Sequence, residues 1–406
     1  MSTFALPVQS VWFAEQTDDK IDLRELVGST PKLQISANIQ SLYSYVEWRV
    51  RLDPLMIENG VFAVGKKVAF TFSDTDIRTF SVLRVKGLPT NQTMSLADEY
   101  EIVLVSPWYF EQIIGSKAYR GSVSSILTEI TTPFSFTGGK IVAGLDVENK
   151  RYRTQQTEGS FIEKRLKDYY GGEDRSLSFI YVDDSHRFYA TNEKAILGSV
   201  EKNYAIALEH PNLSVFSDVL NDDKKIQRLF KLRVSQFSYN LNDALWPSSN
   251  AAISYTTSLK GQLKEYQAEP FIGTLKAKQF LPITQTKSVS VARATEIYVD
   301  DSCQNYSDVL TQGQNLVMKK LLEGQGWILA GDLNLNLAVG QPIDLYVENT
   351  RAPEDDSLRS LFAQTLIITS TDHKFQGLQG QTVISCSLPS FSYSDPLTVA
   401  QYFKSP

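Results

Sequence analysis

The stretch Phe62-Ala-Val-Gly65-Lys-Lys-Val68-Ala-Phe70-Thr-Phe72 has a counterpart near the other end of the chain. That counterpart is Leu337-Ala-Val-Gly340-Gln-Pro-Ile343-Asp-Leu345-Tyr-Val347, with the two glycines 275 positions apart (340 − 65). Each copy reads as an apolar lead-in, a glycine turn and a strand with three large apolar residues on one face, because alternate side chains of a strand share a face. The parallel continues downstream. Phe80-Ser-Val-Leu-Arg-Val85 answers Leu366-Ile-Ile-Thr-Ser-Thr371, and Glu101-Ile-Val-Leu-Val105 answers Thr382-Val-Ile-Ser-Cys386. Both copies then close on proline and an aromatic residue, Pro107-Trp108 and Pro389-Ser-Phe391. Similarity at this distance predicts a duplicated domain, each copy burying one apolar sheet face.

Working outward from the first copy, Leu33, Ile35, Ala37 and Ile39 alternate with polar residues, and so do Val46, Trp48, Val50 and Leu52. Two half-buried strands follow from that period. With strands over 67–73, 80–86 and 100–106 they make a first β domain, residues 1–110. A middle α+β domain, 111–222, is expected next. Ser122 caps a helix whose face is Val123, Ile126, Leu127 and Ile130, and Ser160-Phe-Ile-Glu163 reads as a capping box opening a second helix. Ile162, Leu166, Tyr169 and Tyr170 form that helix's stripe, and Gly171-Gly172 ends it. A hairpin follows, Leu177 to Val182 and His186 to Ala190, turning at Asp183-Asp184-Ser185.

A long strand pattern over 226–240 opens the second β domain, which spans 223–245 and 324–395. Residues 246–323 read as an insertion packing with the middle domain, and a helix is expected from Ser307 to Glu323. The tail, 396–406, follows Asp395 as a cap, opens on Pro396 and carries Leu397, Val399, Tyr402 and Phe403, a short apolar hook suited to docking a partner.

Composition narrows the function classes. The chain has 406 residues, 11% of them aromatic and 21% charged, as a folded, β-leaning protein of several domains would. A net charge of −6 argues against gripping nucleic acid, which takes clustered Lys and Arg. Two cysteines, Cys303 and Cys386, give no disulfide framework and no metal knuckle. The N-terminus lacks the basic start and apolar core of a signal peptide, and no run approaches the roughly 18 apolar residues of a membrane span, so folding in cytoplasm is expected.

Chemical motifs are scarce. His186, His210 and His373 show no zinc spacing. Thr137-Gly-Gly-Lys140 fails as a phosphate loop, with Phe134 where the first glycine belongs and Ile141 where the magnesium-binding hydroxyl belongs. Gly324-Gln-Gly326 fails as a dinucleotide fingerprint because Leu329 replaces the third glycine. Two acidic pairs stand out, Tyr181-Val-Asp-Asp184 and Tyr298-Val-Asp-Asp301. Paired carboxylates can hold a divalent cation or act as acid and base on a glycoside; Asp after a strand is also ordinary turn chemistry, the favoured reading. His186, beside the first pair, reads as a solvated hairpin residue. No catalytic residue, metal site or cofactor site is assigned.

Three stretches resemble the central baseplate hub proteins of contractile-tailed bacteriophages, related to the N-terminal half of type VI secretion spike proteins. They are Lys32 to Phe72, Tyr119 to Tyr189 with Arg151-Tyr-Arg-Thr-Gln-Gln156, and Gly331-Asp-Leu-Asn-Leu-Asn-Leu-Ala-Val-Gly340 with its following strand. The resemblance implies an α+β, mainly β chain, with two duplicated antiparallel β-barrel-like tube domains flanking an α+β domain. It implies a homotrimer whose six tube domains match a hexameric tail tube, or tube-initiator protein, to a trimeric spike, with wedge proteins around it. DNA would pass through the lumen transiently, with no stable membrane association, in a virion baseplate assembled in the host cytoplasm. The 246–300 segment has no counterpart in that pattern. Competing expectations are a tail-associated polysaccharide hydrolase using Asp184 and Asp301, or a receptor-binding tail-tip protein.

Overall fold

The structure, a computed structural model, describes residues 10–13, 20–21, 32–73, 75–88, 98–143, 149–166, 169, 178–199, 204–208, 230–239, 252–257, 263–267, 295–299, 325–346, 364–376 and 379–387. In the first module β1 (Ser10–Phe13), β2 (Lys20–Ile21), β3 (Lys32–Asn38) and β4 (Tyr45–Leu52) precede a short helix α1 (Pro54–Glu58). Asp53 caps α1 by accepting from Leu55 N at 2.9 Å, with Pro54 in the first turn where no N–H is missed. Then come β5 (Lys67–Thr71), β6 (Ile77–Leu88) and β7 (Asp98–Val105). The alternation in β3 and β4 is realised: Leu33, Ile35, Val46, Trp48 and Val50 are buried while their neighbours are not. Trp48 meets Phe62 and Phe70 edge-on at 5.7 and 5.8 Å, so each large ring adds packing geometry to the roughly 1.5–3 kcal/mol of its burial.

The middle region begins with α2 (Trp108–Glu111), β8 (Gly115–Gly121), α3 (Val123–Thr131), β9 (Gly138–Ile141) and β10 (Asn149–Gln156). It continues with α4 (Glu158–Arg165), β11 (Ser178–Val182), β12 (Arg187–Asn192) and α5 (Glu193–Leu197). Ser122 caps α3, and the expected face of Val123, Ile126, Leu127 and Ile130 is buried. Helix α4 differs from expectation at its start. Thr157 is the cap, accepting from Ser160 N at 3.2 Å, so the helix opens ahead of the Ser160 box. The physical reason lies in Glu158, which pairs with Arg153 and accepts from Ile113 N at 2.9 Å, drawing the first turn back toward β10. Ile162, Leu166 and Tyr169 are buried as expected, whereas Tyr170 and Gly171-Gly172 lie outside the described residues. The hairpin is β11 with β12, joined by Asp183 to His186.

The second module comprises β13 (Tyr204–Leu208), β14 (Phe230–Tyr239), β15 (Ala252–Thr257), β16 (Leu263–Gln267), β17 (Thr295–Val299), β18 (Gln325–Asp332), β19 (Pro342–Tyr346), β20 (Gln364–Gln376) and β21 (Gln379–Ser387). Strands β15, β16 and β17 form a separate small sheet between β14 and β18. The helix expected over 307–323 lies outside the described residues.

Five strands of one module correspond to five of the other. Lys67 of β5 faces Ser81 of β6, and Pro342 of β19 faces Ile367 of β20. One step further, a bulge interrupts β6–β7 between Val82 and Arg84, and an equivalent bulge interrupts β20–β21 between Ile368 and Ser370. A matched extra residue in a matched ladder is a specific feature of a duplicated sheet. Ser81 faces Val105 while Ile367 faces Ser387, so Val105 corresponds to Ser387. The sequence alignment, which placed it on Cys386, was one residue short. Likewise β4 corresponds to β18, Trp48 facing Ile102 and Leu329 facing Ile384, all four buried. Next out, β3 corresponds to β14, since Leu33 faces Trp48 and Val234 faces Leu329.

The modules differ at their edges. In the second, β13 pairs in parallel with both β14 and β19, and β19 pairs with β20, closing a six-stranded barrel. In the first, β1 pairs antiparallel with β5 and β2, and the outer edge of β3 is occupied by β20, from Ser370 opposite Asn38 to Phe375 opposite Leu33. That antiparallel joint fuses the two modules into one 13-stranded sheet. Phe72 stacks on Phe375 across it at 5.4 Å.

Candidate functional site: a buried charge cluster where three regions meet

Arg78 comes from β6, Asp184 from the β11–β12 turn and His373 from β20, and their side chains meet at the junction of both modules with the middle region. Side-chain exposures of 3%, 1% and 0% exclude solvent. The Arg78 guanidinium donates through Nη1 to Asp184 Oδ2, through Nε to Asp76 Oδ1 at 3.0 Å, and through Nη2 to the Leu335 carbonyl at 2.7 Å. Phe72 lies under its flat face, 5.5 Å from ring centroid to Cζ. His373 Nδ1 and Thr382 Oγ1 share a hydrogen bond of 3.0 Å. His373 Nε2 sits 3.2 Å from Asp184 Oδ2 but off the axis of a hydrogen bond. Thr382 Oγ1 in turn accepts from Asn334 N at 2.9 Å.

Burial alone pushes the Asp184 carboxyl up; the Arg78 guanidinium and His373 outweigh it and hold the carboxyl below the usual carboxylate range. A buried ion is tolerated when a partner and hydrogen bonds replace its water, and Arg78 is fully committed in that way. The arrangement is a clamp. Its carboxylate faces a fixed cation in the packed interior.

Asp183 does ordinary turn work. Its Oδ1 accepts from Ser185 N at 3.1 Å and Arg187 N at 2.9 Å, and its Oδ2 from Arg187 Nε at 2.8 Å. Burial and the adjacent Asp184 charge raise its pKa. So the turn reading holds for Asp183 and fails for Asp184. His186 also departs from expectation: it is largely buried against Phe136, ring centroids 5.0 Å apart, and desolvation lowers its pKa to about 4. In the second acidic pair, Tyr298 and Val299 belong to β17, while Asp300 and Asp301 lie outside the described residues. The hook residues Leu397, Val399, Tyr402 and Phe403 also lie outside them. Nothing in the sequence singled out Arg78; Asp76-x-Arg78 at a strand start is its only local trace.

The repeated Ala-Val-Gly turn adds a second contrast. Both glycines have positive φ, +88° at Gly65 and +77° at Gly340, the backbone region where a side chain is strained. At Gly340 an added Cβ would lie 1.9 Å from Tyr181 Oη, because the middle region packs there. Val339 is 3% exposed under Tyr181, Phe179 and Ile196, whereas its counterpart Val64 is 63% exposed. Beside that bare turn Phe110, itself exposed, lies close to Gly65 and meets the exposed Tyr109 ring edge-on at 5.1 Å.

These features define a mainly β protein with antiparallel sheets, and the comparisons with known proteins agree. A tail protein from Neisseria meningitidis MC58 superposes with a TM-score of 0.52 at 7% identity, covering 95% of this chain and 96% of that one. The 43 kDa tail protein of prophage MuSo2 from Shewanella oneidensis gives 0.51 at 8% identity, covering 94% and 98%. A type VI secretion component from E. coli, described as structurally similar to T4 phage tail proteins, gives 0.47 at 9% identity, covering 95% and 79%. The chain has the fold of phage tail proteins. No protein-family profile and no curated protein matches the sequence.

Proposed function

We propose that the chain is a structural baseplate hub of a phage tail or related injection device. Three copies form a ring of six β modules, joining a hexameric tail tube or tube-initiator protein to a trimeric spike, with wedge proteins around it. The observation that carries this reading is the matched pair of modules. Two similar units fused in one chain turn a threefold assembly into a sixfold face, the simplest way to join partners of different symmetry. The identical Ala-Val-Gly turn, covered in one module and bare in the other, supports an assembly in which Val64 finds a cover. The commitment of Asp184 to Arg78 favours a non-enzymatic role. In this reading residues 1–110 and the pair 223–245 with 324–395 are the tube domains, 111–222 is the connecting domain and 246–323 an insertion packing with it. Leu397, Val399, Tyr402 and Phe403 form the hook that captures the spike. The chain works in the virion tail, assembled in host cytoplasm, and the acidic balance of −6 lets DNA pass without adhering.

Native mass spectrometry of the chain, alone and with neighbouring tube and spike proteins, is the test. A species of about 137 kDa, three times 45.6 kDa, is expected in at least one mixture. A monomer that ignores every tail component would overturn the reading.

A further inference from the structure

Among the described residues, the joint inside the chain has a twin without a partner strand at each end. The distal half of β20, Ser370 to Phe375, pairs with β21 on one side and with β3 on the other. Its counterpart in the first module is the distal half of β6, Arg84 to Leu88, paired with β7. On the opposite edge the β5 ladder ends with Val82 N donating to Lys66 O, and no strand among the described residues covers Arg84 to Leu88 beyond it. The counterpart of β3 is β14. There β13 covers only Phe230 to Leu232, and from Arg233 to Tyr239 no strand among the described residues lies on the edge away from β18.

Open edges attract strands, so each must be covered or blunted. The residues show which partner fits. In the joint, Asp372 accepts from Ser36 Oγ at 2.5 Å and Gln34 Nε2 at 3.2 Å. Strand β3 reads Leu33-Gln-Ile-Ser-Ala-Asn38, and β14 with the residue after it reads Val234-Ser-Gln-Phe-Ser-Tyr-Asn240. The β14–β18 register shift between Val234 and Gln236 sets Ser235 aside as the bulge residue. The rest then aligns with Gln, Ser and Asn identical at alternate positions. The Asp372 position on β6 is Lys86, which donates where Asp372 accepts; Gln and Ser side chains take either role. The Lys86 charge does not itself close this edge, because Asp372 and Lys374 stand on the edge that is paired.

Resting on the ring reading above, we infer that β6 of one copy pairs antiparallel with β14 of a second copy of this chain. Lys86 then lies opposite Ser238, Gly87 opposite Phe237 and Val85 opposite Tyr239, repeating between chains the joint seen within the chain. The contact uses different edges on the two copies, so it is head to tail and closes only as a ring or grows as a filament.

The test is a pair of cysteines, Lys86→Cys with Ser238→Cys, in the full chain carrying Cys303→Ser. It is oxidised in whichever sample, alone or with tube and spike proteins, shows the trimeric mass. Opposed residues sit about 4.5–5.5 Å apart at Cα, within disulfide reach. The expected result is interchain linkage up to a covalent trimer. The register-shifted pair Val85→Cys with Ser238→Cys should link at least about tenfold less, because successive strand residues face opposite ways. A trimer in which the matched pair does not link, or links no better than the shifted one, overturns the joint and leaves the ring standing. Efficient linkage by Lys86→Cys alone overturns it in favour of two β6 edges meeting. Absence of any trimer overturns both.

Discussion

The two β modules share a bulge position, a glycine turn and a buried Trp48–Ile102 or Leu329–Ile384 pair, yet the same Ala-Val-Gly sequence is bare in one and buried in the other. Secondary structure and ladder register follow the repeated sequence. What lies over the turn follows from the neighbour: Tyr181, Phe179 and Ile196 of the middle region in the second module, solvent beside Tyr109 and Phe110 in the first. Duplication thus supplies two equal surfaces, and insertion of the middle region makes them unequal.

The sharpest way to break this comparison is to place a charge at both valines. Val339→Asp buries an unpaired carboxylate and is expected to lower unfolding free energy by about 4 kcal/mol or more, read as a drop in urea midpoint. Val64→Asp should stay within about 0.5 kcal/mol in the same assay while weakening self-association. Equal losses in stability would mean that Val64 is covered within the monomer. Next in size is Asp184→Asn, which leaves Arg78 with Asp76 alone as its carboxylate partner; a loss of about 3 kcal/mol is expected, and an unchanged midpoint would remove the clamp from the account.

Gly340→Ala combines strained φ with the approach of Tyr181, for a loss of about 2–3 kcal/mol. Gly65→Ala, with the same backbone but only Phe110 nearby at 4.0 Å, should lose about 1 kcal/mol; thermal melts of the two variants decide whether the middle region accounts for the difference.

A further expected effect is on acid stability. Because the folded-state pKa of Asp184 is lowered, its contribution is complete above the ordinary carboxylate value of 3.8 and is lost as pH falls through the folded value. Asp183 acts in the opposite sense, its raised folded pKa removing stability as pH rises through about 6. The stability difference between wild type and Asp184→Asn should therefore shrink below about pH 4, by up to about 2 kcal/mol. A difference that stays flat down to pH 2 would contradict the lowered pKa.

Legibility in the sequence varied with how local the cause was. Strands β3 and β4 were readable because one buried face imposes a period of two on seven and eight residues. Helix α3 was readable because its cap and its stripe are both local. The one-residue error between β7 and β21 arose where Ile102-Val-Leu-Val105 is apolar throughout, so periodicity does not distinguish the faces. The correspondence of β3 with β14 was hidden by the bulge, which puts Gln236 and Ser238 one step out of phase. Asp183 and Asp184 are chemically identical neighbours, and only the direction each side chain takes at the end of β11 separates a turn residue from an ion-pair partner.

By itself the sequence determined the mainly β class, the repeat and its glycine turns, because strand period and positive φ act over a few residues. Only the tertiary structure decided that Arg78, Asp184 and His373, far apart in the chain, meet out of water, and that β20 extends past its own barrel to seize β3. Those outcomes depend on which edges and which charges are left over after each module has folded, and a leftover is a property of the whole assembly of strands.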